Sequence, residues 1–491
     1  MKLLISLDNN KLYNVSLNTK TDDNSQEDFN KPLIIKDTIL KDLKNKIIHM
    51  ENINNKLVFV LDNGSVLFYN YSFKTTANNP DFIEYNMISI DTLLQAIDIK
   101  FNDELIINSN KINKKSKKPI QFNTSNISNK DLESDQVLTS SIKIINNLLM
   151  VPIKSGLLTF IDLNDYTVFD HQLNAPLSFI NIIETNKEKI KFTAGGYENL
   201  LKVCEFNMGN KELSTVVSTK PMKFNEHLNL TFPNWPVFST NIIDQTSKEE
   251  YFLEFTKFGH LEYYNFKNSK KPINGLNEIL LNRPFQKNLQ PILTNIIETN
   301  ATEDESKTFI LTDNFNSIWE LTVTVVNNEI KIKQKGKVSK NISGHVGYLN
   351  EKTETSEIPQ TYIIPVKKEE QDDDEVKEEV EEVKPLDKEE LQYLQSKSNF
   401  VKNSNLLTFT SSSKLNVIKI ENNIKKHIID WTSNSKILSV LIYDTTDVLN
   451  KKKYQKYIDR LIRKRGVSVE QEENEKMWDK LDANPPKRQK K

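Results

Sequence analysis

Two adjacent glycines, Gly195 and Gly196, are the first residues in this sequence whose spacing could serve chemistry. They stand in the stretch TAGGYENLLKVCEF, which begins at Thr193, and glycine-rich turns can cradle phosphates with backbone N–H groups. A Walker loop needs spaced glycines that end in Lys and Ser or Thr, and a dinucleotide fingerprint needs Gly-x-Gly-x-x-Gly between a strand and a helix. Neither pattern is present, and the residues that follow favour a strand. Nucleotide binding is therefore not predicted.

Histidine, cysteine and carboxylate residues give no better pattern for catalysis or metal binding. No two of the six histidines are close enough in sequence to form a helical metal-binding pair. Cys204 is the only cysteine, and a buried, unreactive thiol is predicted there. Acids are dense only from Lys367 to Glu390, with 13 acidic residues against 5 lysines, and such a segment repels itself and is predicted to be disordered. The sequence predicts no enzyme, no cofactor and no metal site.

The composition limits the classes of protein to which this chain could belong. Lys and Arg total 66 against 67 for Asp and Glu, so partner preference depends on local charge. A single cysteine fits a reducing compartment. The N-terminal apolar run is too short for a signal peptide, and no apolar stretch approaches the ~20 residues of a membrane helix; a soluble intracellular protein is expected. With only 11 glycines, turns are expected to rely on Asn, which tolerates left-handed backbone.

One local pattern recurs along the chain: a β-rich run, a tight polar turn and a second β-rich run. Alternating apolar and polar residues around such a turn predict a β-hairpin. The seven clear cases begin at Lys2, Lys56, Asn147, Lys189, Tyr251, Phe309 and Leu406. Their spacing of about 40 to 60 residues, where no insertion intervenes, indicates WD-type repeats with four strands each. The stretch TAGGYENLLKVCEF is then interpreted as a degenerate repeat, in which Cys204-Glu205 replaces the Trp-Asp dipeptide. Its two glycines are predicted to relax the turn.

The predicted fold is therefore all-β: a seven-bladed WD-type β-propeller over residues 1–444. The seven hairpins supply the two middle strands of each blade. Two further strands that end near Asp444 would complete the final blade, and the N-terminal strand would pair beside them to close the ring. A polar insertion at 107–136 and an acidic disordered insertion at 351–398 interrupt the propeller.

Residues 445–491 are predicted to form a basic C-terminal extension. Its apolar residues between Lys451 and Arg465 follow helical spacing, which indicates an amphipathic helix near 451–465. The candidate RNA- or partner-binding residues on it are Lys451, Lys452, Lys453, Lys456, Arg460, Arg463, Lys464 and Arg465. Eight cations on one helix can neutralise phosphates; alternatively, the apolar stripe docks on the propeller and the lysines are only solvated. The terminal basic run indicates nuclear import and comprises Lys487, Arg488, Lys490 and Lys491.

Several segments together resemble a known family. They are KSGLLTFIDL, LNAPLSFI, AGGYENLLKVCEF, HLNLTFPNWPVF, FTKFGHLEYYNF and GKVSKNISG, in this order, followed by EKMWDKL near the basic terminus. The set resembles the fungal WD-repeat ribosome biogenesis factors of the Nsa type, and GGYENLLK and PNWPV are its most specific pieces. The low glycine content and the long acidic insertion depart from that family.

The resemblance implies a non-catalytic seven-bladed propeller that acts in the nucleolus on precursor large-subunit particles. Its implied partners are rRNA, ribosomal proteins and other assembly factors, with release by an AAA-type ATPase and without membrane or small-molecule substrate. The function predicted is thus a scaffold or assembly factor that binds through the propeller and the basic tail. The alternative is a WD-repeat adaptor in another nuclear complex, in small-subunit assembly or chromatin.

Overall fold

The computed structural model describes most of the residues that the sequence assigns to strands. The described residues are 1–17, 34–38, 44–53, 56–76, 85–99, 101, 136–225, 230–231, 234–273, 275, 277–282, 290–299, 306–340, 346–350, 405–421 and 424–444. The insertions predicted at 107–136 (apart from Gln136) and 351–398, and the extension at 445–491, lie outside them. The predicted disorder of the acidic insertion and the predicted helix of the tail remain predictions.

The described strands form seven four-stranded antiparallel sheets, which are the blades of a β-propeller. Blade 1 consists of β30 (Ile437–Asp444), β1 (Lys2–Leu7), β2 (Leu12–Ser16) and β3 (Ile34–Thr38). Blade 2 consists of β4 (Ile47–Ile53), β5 (Lys56–Leu61), β6 (Ser65–Thr76) and β7 (Tyr85–Asp98). Blade 3 consists of β8 (Lys143–Ile145), β9 (Leu148–Pro152), β10 (Leu157–Asp162) and β11 (Val168–Gln172).

The remaining four blades follow in chain order. Blade 4 consists of β12 (Phe179–Thr185), β13 (Lys189–Gly196), β14 (Asn199–Asn207) and β15 (Leu213–Ser218). Blade 5 consists of β18 (Pro236–Ile243), β19 (Glu250–Thr256), β20 (His260–Tyr264) and β21 (Asn277–Glu278). Blade 6 consists of β22 (Leu293–Glu298), β23 (Lys307–Asp313), β24 (Ser317–Val326) and β25 (Glu329–Lys340). Blade 7 consists of β26 (Val346–Asn350), β27 (Asn405–Ser411), β28 (Lys414–Glu421) and β29 (Ile424–Thr432).

Two small elements complete the described secondary structure. A separate strand pair joins β16 (Lys223–Asn225) to β17 (Leu230–Thr231), and a 3-10 turn spans Thr139–Ser141. The seven-bladed propeller predicted from the sequence is confirmed, and each of the seven predicted hairpins is the central strand pair of one blade.

The ring closes where the two ends of the described chain meet. Strand β30 pairs antiparallel with β1, from Lys2 opposite Asp444 to Leu7 opposite Ile437. The sequence predicted that the last two strands, β29 and β30, complete the same blade. That prediction is wrong, because β29 is the outer strand of blade 7 and β30 is the inner strand of blade 1. The difference follows from pairing, because β1 would otherwise present an unpaired inner edge.

Strand direction defines two faces of the propeller. The upper face carries the turn between the second and third strand of each blade and the connection from each outer strand to the next blade. The lower face carries the other connections. Strand β26 ends at Asn350 and β27 begins at Asn405 on the lower face, and β30 ends there at Asp444. The chain segments 351–404 and 445–491 are therefore both attached to the lower face.

Asparagine supplies much of the left-handed backbone, as its frequency predicts. Eleven described non-glycine residues have positive φ. Six of them are asparagines: Asn10, Asn146, Asn147, Asn316, Asn327 and Asn328. The side-chain amide can hydrogen-bond locally, which lowers the cost of this conformation.

Gly195 and Gly196 do not relax the hairpin turn, as the sequence predicted. They end strand β13, and the turn that follows takes its positive φ, 50°, at Glu198 rather than at either glycine. A Cβ on Gly196 would lie 2.0 Å from the backbone oxygen of Pro176. Gly196 is thus required because a neighbouring connection passes against its backbone.

A buried acidic pair lies in blade 5. Glu254 and Glu262 are opposite each other on β19 and β20. The Tyr264 hydroxyl lies within hydrogen-bond distance of both carboxyl groups, 2.8 Å from Glu254 Oε2 and 2.6 Å from Glu262 Oε2. That hydroxyl has one hydrogen, so the second short contact requires a proton on a carboxyl group. Burial raises the pKa of Glu254 well above its usual value, with repulsion from Glu262 adding to it, and burial also raises the pKa of Glu262.

We expect this pair to make the stability of the propeller fall with rising pH. The folded chain retains a proton that the unfolded chain releases above its ordinary carboxyl pKa of about 4.3. Stability is therefore fully present below that value and is lost as the pH rises towards the raised pKa of the folded pair. Glu254→Gln, which keeps the shape of the neutral acid, should flatten this dependence and stabilise the protein at pH 8 by about 1 to 3 kcal/mol.

Urea titrations of the two proteins from pH 4.5 to 8.5 would measure this effect. Glu329→Gln is a control, because Glu329 is exposed on the outer strand β25 of the neighbouring blade 6. Equal pH dependence in the wild type and Glu254→Gln would contradict the shared proton.

Candidate partner-binding site on the upper face

The residues predicted from the sequence to bind RNA or partners lie outside the described residues. This holds for the helix candidates Lys451, Lys452, Lys453, Lys456, Arg460, Arg463, Lys464 and Arg465, and for the import candidates Lys487, Arg488, Lys490 and Lys491. Their roles stay predictions. The structure adds only the point of attachment, because the chain leaves the propeller at the lower face after Asp444.

Of the side chains considered for catalysis, Cys204 is packed in the core and His171 is half-buried. Cys204 is fully buried in blade 4, and burial raises the pKa of its thiol, which disfavours the reactive thiolate. His171 packs edge-on against Phe160 and Phe206, and burial lowers the pKa of its imidazole. Within the described part of the chain, no cluster of three or more His, Cys, Asp or Glu residues could hold a metal ion.

Two segments that are distant in sequence meet on the upper face. The Glu198 N–H donates to the Asn234 carbonyl at 2.9 Å, which joins GGYENLLK of blade 4 to PNWPV at the entry to blade 5. The Tyr197 ring packs edge-on against Trp235, with centroids 4.8 Å apart. The Asn199 amide donates to the Asn174 and Pro176 carbonyls. The sequence singled out both segments for their resemblance to a family, but it did not predict that they form one site.

Trp235 forms one wall of a concavity, which we call the upper-face cavity. The cavity has a volume of about 290 Å³. Its lining residues are Gln136, Leu138, Ser140, Lys154, Pro176, Leu177, Ser178, Tyr197, Trp235, Val237, Lys257, Leu293, Thr294 and Asn295. The Trp235 indole N–H donates to Ser178 Oγ at 2.8 Å, and the Lys257 ammonium lies 4.3 Å from the centroid of the Trp235 ring. Of the described residues, two lysines and no carboxylates line this cavity.

Aromatic residues occur in three successive turns of the upper face. Tyr197, Phe258 and Phe315 lie in the turns between the second and third strands of blades 4, 5 and 6. Phe315 is 51% exposed, and Phe258 is half-buried against Trp235 with ring centroids 6.3 Å apart. The corresponding turns of the other four blades contain no aromatic residue; they consist of Asp, Asn, Gly, Ser and Lys, together with Ile153 in blade 3. We call these three side chains the aromatic arc.

A second concavity lies between the inner strands at the centre of the ring. It has a volume of about 560 Å³, and its walls include residues of β4, β8, β22, β26 and β30. His49 Nε2 lies 3.1 Å from Glu51 Oε2 at its edge, and burial raises the pKa of Tyr348 to about 12. An active site needs a nucleophile, a base beside it and a group that stabilises an anion. A neutral tyrosine and one histidine–carboxylate pair do not supply these three roles.

Comparison with known proteins points to one group of relatives. A Candida glabrata protein named ribosome biogenesis protein NSA1 is 28% identical over 159 residues, which are 29% of this chain and 36% of that protein. The Vanderwaltozyma polyspora protein of the same name is 25% identical over 341 residues, 64% of this chain and 72% of that protein. This chain is similar to fungal Nsa1. The resemblance predicted from the sequence is confirmed.

The match to Nsa1 varies in extent between relatives. The Saccharomyces cerevisiae Nsa1 protein is 28% identical over 151 residues, 28% of this chain and 32% of its own length. The aligned part thus spans about a third of the Candida glabrata and Saccharomyces cerevisiae Nsa1 proteins. No protein-family model matches this chain.

Among solved structures, the crystal structure of the Myceliophteria thermophila Cps50 (Swd1) β-propeller domain is similar. It has a TM-score of 0.39 and 8% identity, and it covers 80% of this chain and 90% of that domain. The strand order described above establishes the propeller without it. Among the described residues, no helix is long and apolar enough to cross a bilayer.

Proposed function

We propose that this chain is a non-catalytic assembly factor in the biogenesis of the large ribosomal subunit. The observation that carries the proposal is the similarity to Nsa1 ribosome biogenesis proteins over 64% of the chain. A closed propeller supports it physically, because a rigid ring presents many turns to several partners at once. We further propose nucleolar localisation, binding of precursor particles and release by an AAA-type ATPase, as the Nsa resemblance implies.

The proposed mechanism is multivalent attachment from both faces. The upper face offers the upper-face cavity and the aromatic arc, and the basic tail leaves from the lower face at Asp444. When one contact is made, the other sites act at a high local concentration, so that weak contacts together give stable binding. A scaffold of this kind needs no chemistry of its own.

Affinity purification of the tagged full-length chain from its own cells tests this function. Sequencing of the recovered RNA should show precursor large-subunit rRNA, and mass spectrometry should show assembly factors of the same particle. If ATP hydrolysis by the releasing ATPase is blocked, the tagged chain should accumulate on these particles. Recovery of small-subunit precursors or of histones instead would favour an adaptor in another nuclear complex and would overturn the proposal.

The tail gives a separate prediction about RNA binding. Replacing Lys451–Lys453 and Arg463–Arg465 with glutamine should weaken binding to precursor rRNA and flatten its salt dependence. The plot of log K against log salt has a negative slope, and each lost phosphate contact reduces its magnitude by roughly 0.7 to 0.9. Filter binding between 50 and 300 mM KCl on the full-length chain would measure this slope.

The terminal basic run offers the matched control for that experiment. Replacing Lys487, Arg488, Lys490 and Lys491 with glutamine should reduce nuclear accumulation of a fluorescent fusion and leave most of the RNA salt slope in place. An unchanged slope in the first variant would show that the tail does not bind RNA through those six cations.

A further inference from the structure

We propose that the predicted amphipathic helix at 451–465 docks on blade 2 of its own propeller. Its apolar stripe consists of Tyr454, Tyr457, Ile458, Leu461 and Ile462. The surface it covers, which we call the apolar strip, consists of partly exposed side chains on the hairpin of β6 and β7: Leu67, Tyr69, Phe73, Ile90 and Leu93. The contact lies within one chain, so it does not depend on which complex the chain joins.

The apolar strip lies on one face of this hairpin. Tyr69 is opposite Leu93 and Tyr71 is opposite Ile90, and residues at every second position along a strand share a face. The buried Tyr71 ring, on the same face, belongs to a packed cluster that includes Tyr443 of blade 1. The apolar strip therefore continues a face whose first part is already buried between blades 1 and 2.

Blade 1 is too short to cover the whole of this face. Strand β7, the outer strand of blade 2, has 14 residues, whereas β3, the outer strand of blade 1, has five. Leu93 is 50% exposed. Removing apolar surface of this kind from water is favourable in proportion to its area, so a further apolar element on the apolar strip would be stabilised.

The tail begins beside the apolar strip. The Tyr443 hydroxyl donates to Asn14 Oδ1, and the Asn14 amide donates to the Ile88 carbonyl of β7, both at 2.7 Å. These bonds connect the hairpin to the residue that precedes Asp444, where β30 ends. Lys451 follows Asp444 by seven residues, a distance of at most about 25 Å for an extended chain. The helix therefore begins within reach of the apolar strip.

The two apolar surfaces have similar lengths. A helix over residues 451–465 is about 22 Å long, and the part of β6 from Leu67 to Phe73 is about 20 Å long. One helix can therefore lie along the apolar strip without a break. Because the stripe occupies only one side of the helix, its Lys and Arg residues stay on the sides that face solvent.

Charge also favours this occupant. Strand β7 carries Asp91 and Asp98 and contains no Lys or Arg, whereas residues 451–465 contain eight Lys or Arg and one acid, Asp459. Lys74 already lies 3.9 Å from Asp91, so the apolar contact contributes more than the charges do. Attachment to the same chain raises the local concentration of the helix at the apolar strip, which strengthens a contact of modest intrinsic affinity.

Paired cysteines in the full-length chain test the contact. The native Cys204 is buried, so it does not compete for mild oxidants. Leu93→Cys is combined in turn with Tyr454→Cys, Ile458→Cys or Leu461→Cys, and disulfides are mapped by mass spectrometry. We expect at least one pair to form a disulfide within the chain at least tenfold faster than the same tail cysteine does with Val216→Cys. Val216 is a matched control because it is 52% exposed on the outer strand of blade 4.

A second measurement needs no disulfide. The rate at which a maleimide labels Leu93→Cys should rise about tenfold when Tyr457, Ile458 and Leu461 are replaced with Asp, because the helix then leaves the apolar strip. The labelling rate of Val216→Cys should not change. Thermal unfolding should show that the propeller remains folded in each variant.

Two results would overturn the proposal: no Leu93→Cys pair forms a disulfide faster than its Val216→Cys control, or the labelling rate of Leu93→Cys is the same with and without the apolar stripe. Mixing isotope-labelled and unlabelled chains identifies the chain to which each cysteine belongs. Disulfides between chains would overturn the contact within one chain and assign the apolar strip to a second copy of the protein.

Discussion

A chain that lacks residues 437–444 is expected to lose its cooperative unfolding transition and to form soluble aggregates. The deletion removes β30, whose buried residues Ile437, Val440 and Tyr443 pack on blade 1 and its neighbours. Burial of each such side chain contributes about 1.5 to 3 kcal/mol. Their sum is comparable to the 5 to 15 kcal/mol by which domains are typically stable.

The exposed edge of β1 adds to this loss. All six residues of β1 are buried in the closed ring, and the Tyr443 hydroxyl donates to Asn14 Oδ1 at 2.7 Å across blade 1. Without β30, an apolar strand with unpaired backbone groups faces solvent, which promotes pairing between chains. Size-exclusion chromatography and thermal unfolding would report both effects.

A chain that ends at Asp444 is the matched control for this deletion, because it retains every described strand. It should remain monomeric and unfold in one transition. A monomeric deletion variant that melts at the same temperature as this control would show that the ring does not depend on the pairing of β30 with β1.

Gly196→Ala is expected to destabilise the propeller by about 3 kcal/mol or more. The added methyl group would meet the Pro176 carbonyl oxygen at 2.0 Å and the Ser178 nitrogen at 3.0 Å, and both are backbone atoms that cannot move without shifting the entry to blade 4. Overpacking of this kind typically costs 1 to 3 kcal/mol when side chains can adjust. Chemical denaturation followed by tryptophan fluorescence would measure the loss.

Gly209→Ala is the matched control. Its Cβ would meet only the Asn207 side-chain oxygen, at 3.3 Å, in an exposed turn of the same blade. We expect a change within about 0.5 kcal/mol. The prediction about Gly196 would be wrong if both alanine variants unfolded at the same denaturant concentration.

The central hairpins could be predicted from the sequence because their signals are local. Strands such as β9 and β10 combine a buried apolar run with a tight turn at Lys154 to Gly156, and these signals need no knowledge of distant contacts. The outer strands are harder to predict. Strand β25 (EIKIKQKGKVSK) alternates lysine with apolar residues and is largely exposed on one face, so its composition resembles that of a solvated loop.

The site could not be predicted in the same way. Tyr197 belongs to blade 4, whereas Trp235 precedes blade 5, and they meet only because adjacent blades pack side by side. Lys154 and Asn295 reach the same cavity from blades 3 and 6. A usable sequence signal did exist: an aromatic residue recurs in the corresponding turn of three successive repeats. This recurrence can be interpreted only once the propeller is known, because the ring places equivalent turns on one face.

The pairing of β30 with β1 also constrains the order of events during translation. Residues 2–7 leave the ribosome long before residues 437–444 are made. At about 5 to 20 residues per second, this interval lasts on the order of 20 to 90 s. Blade 1 therefore begins first and is completed last, and throughout synthesis its unpaired inner edge is a natural target for the chaperones that shield nascent chains.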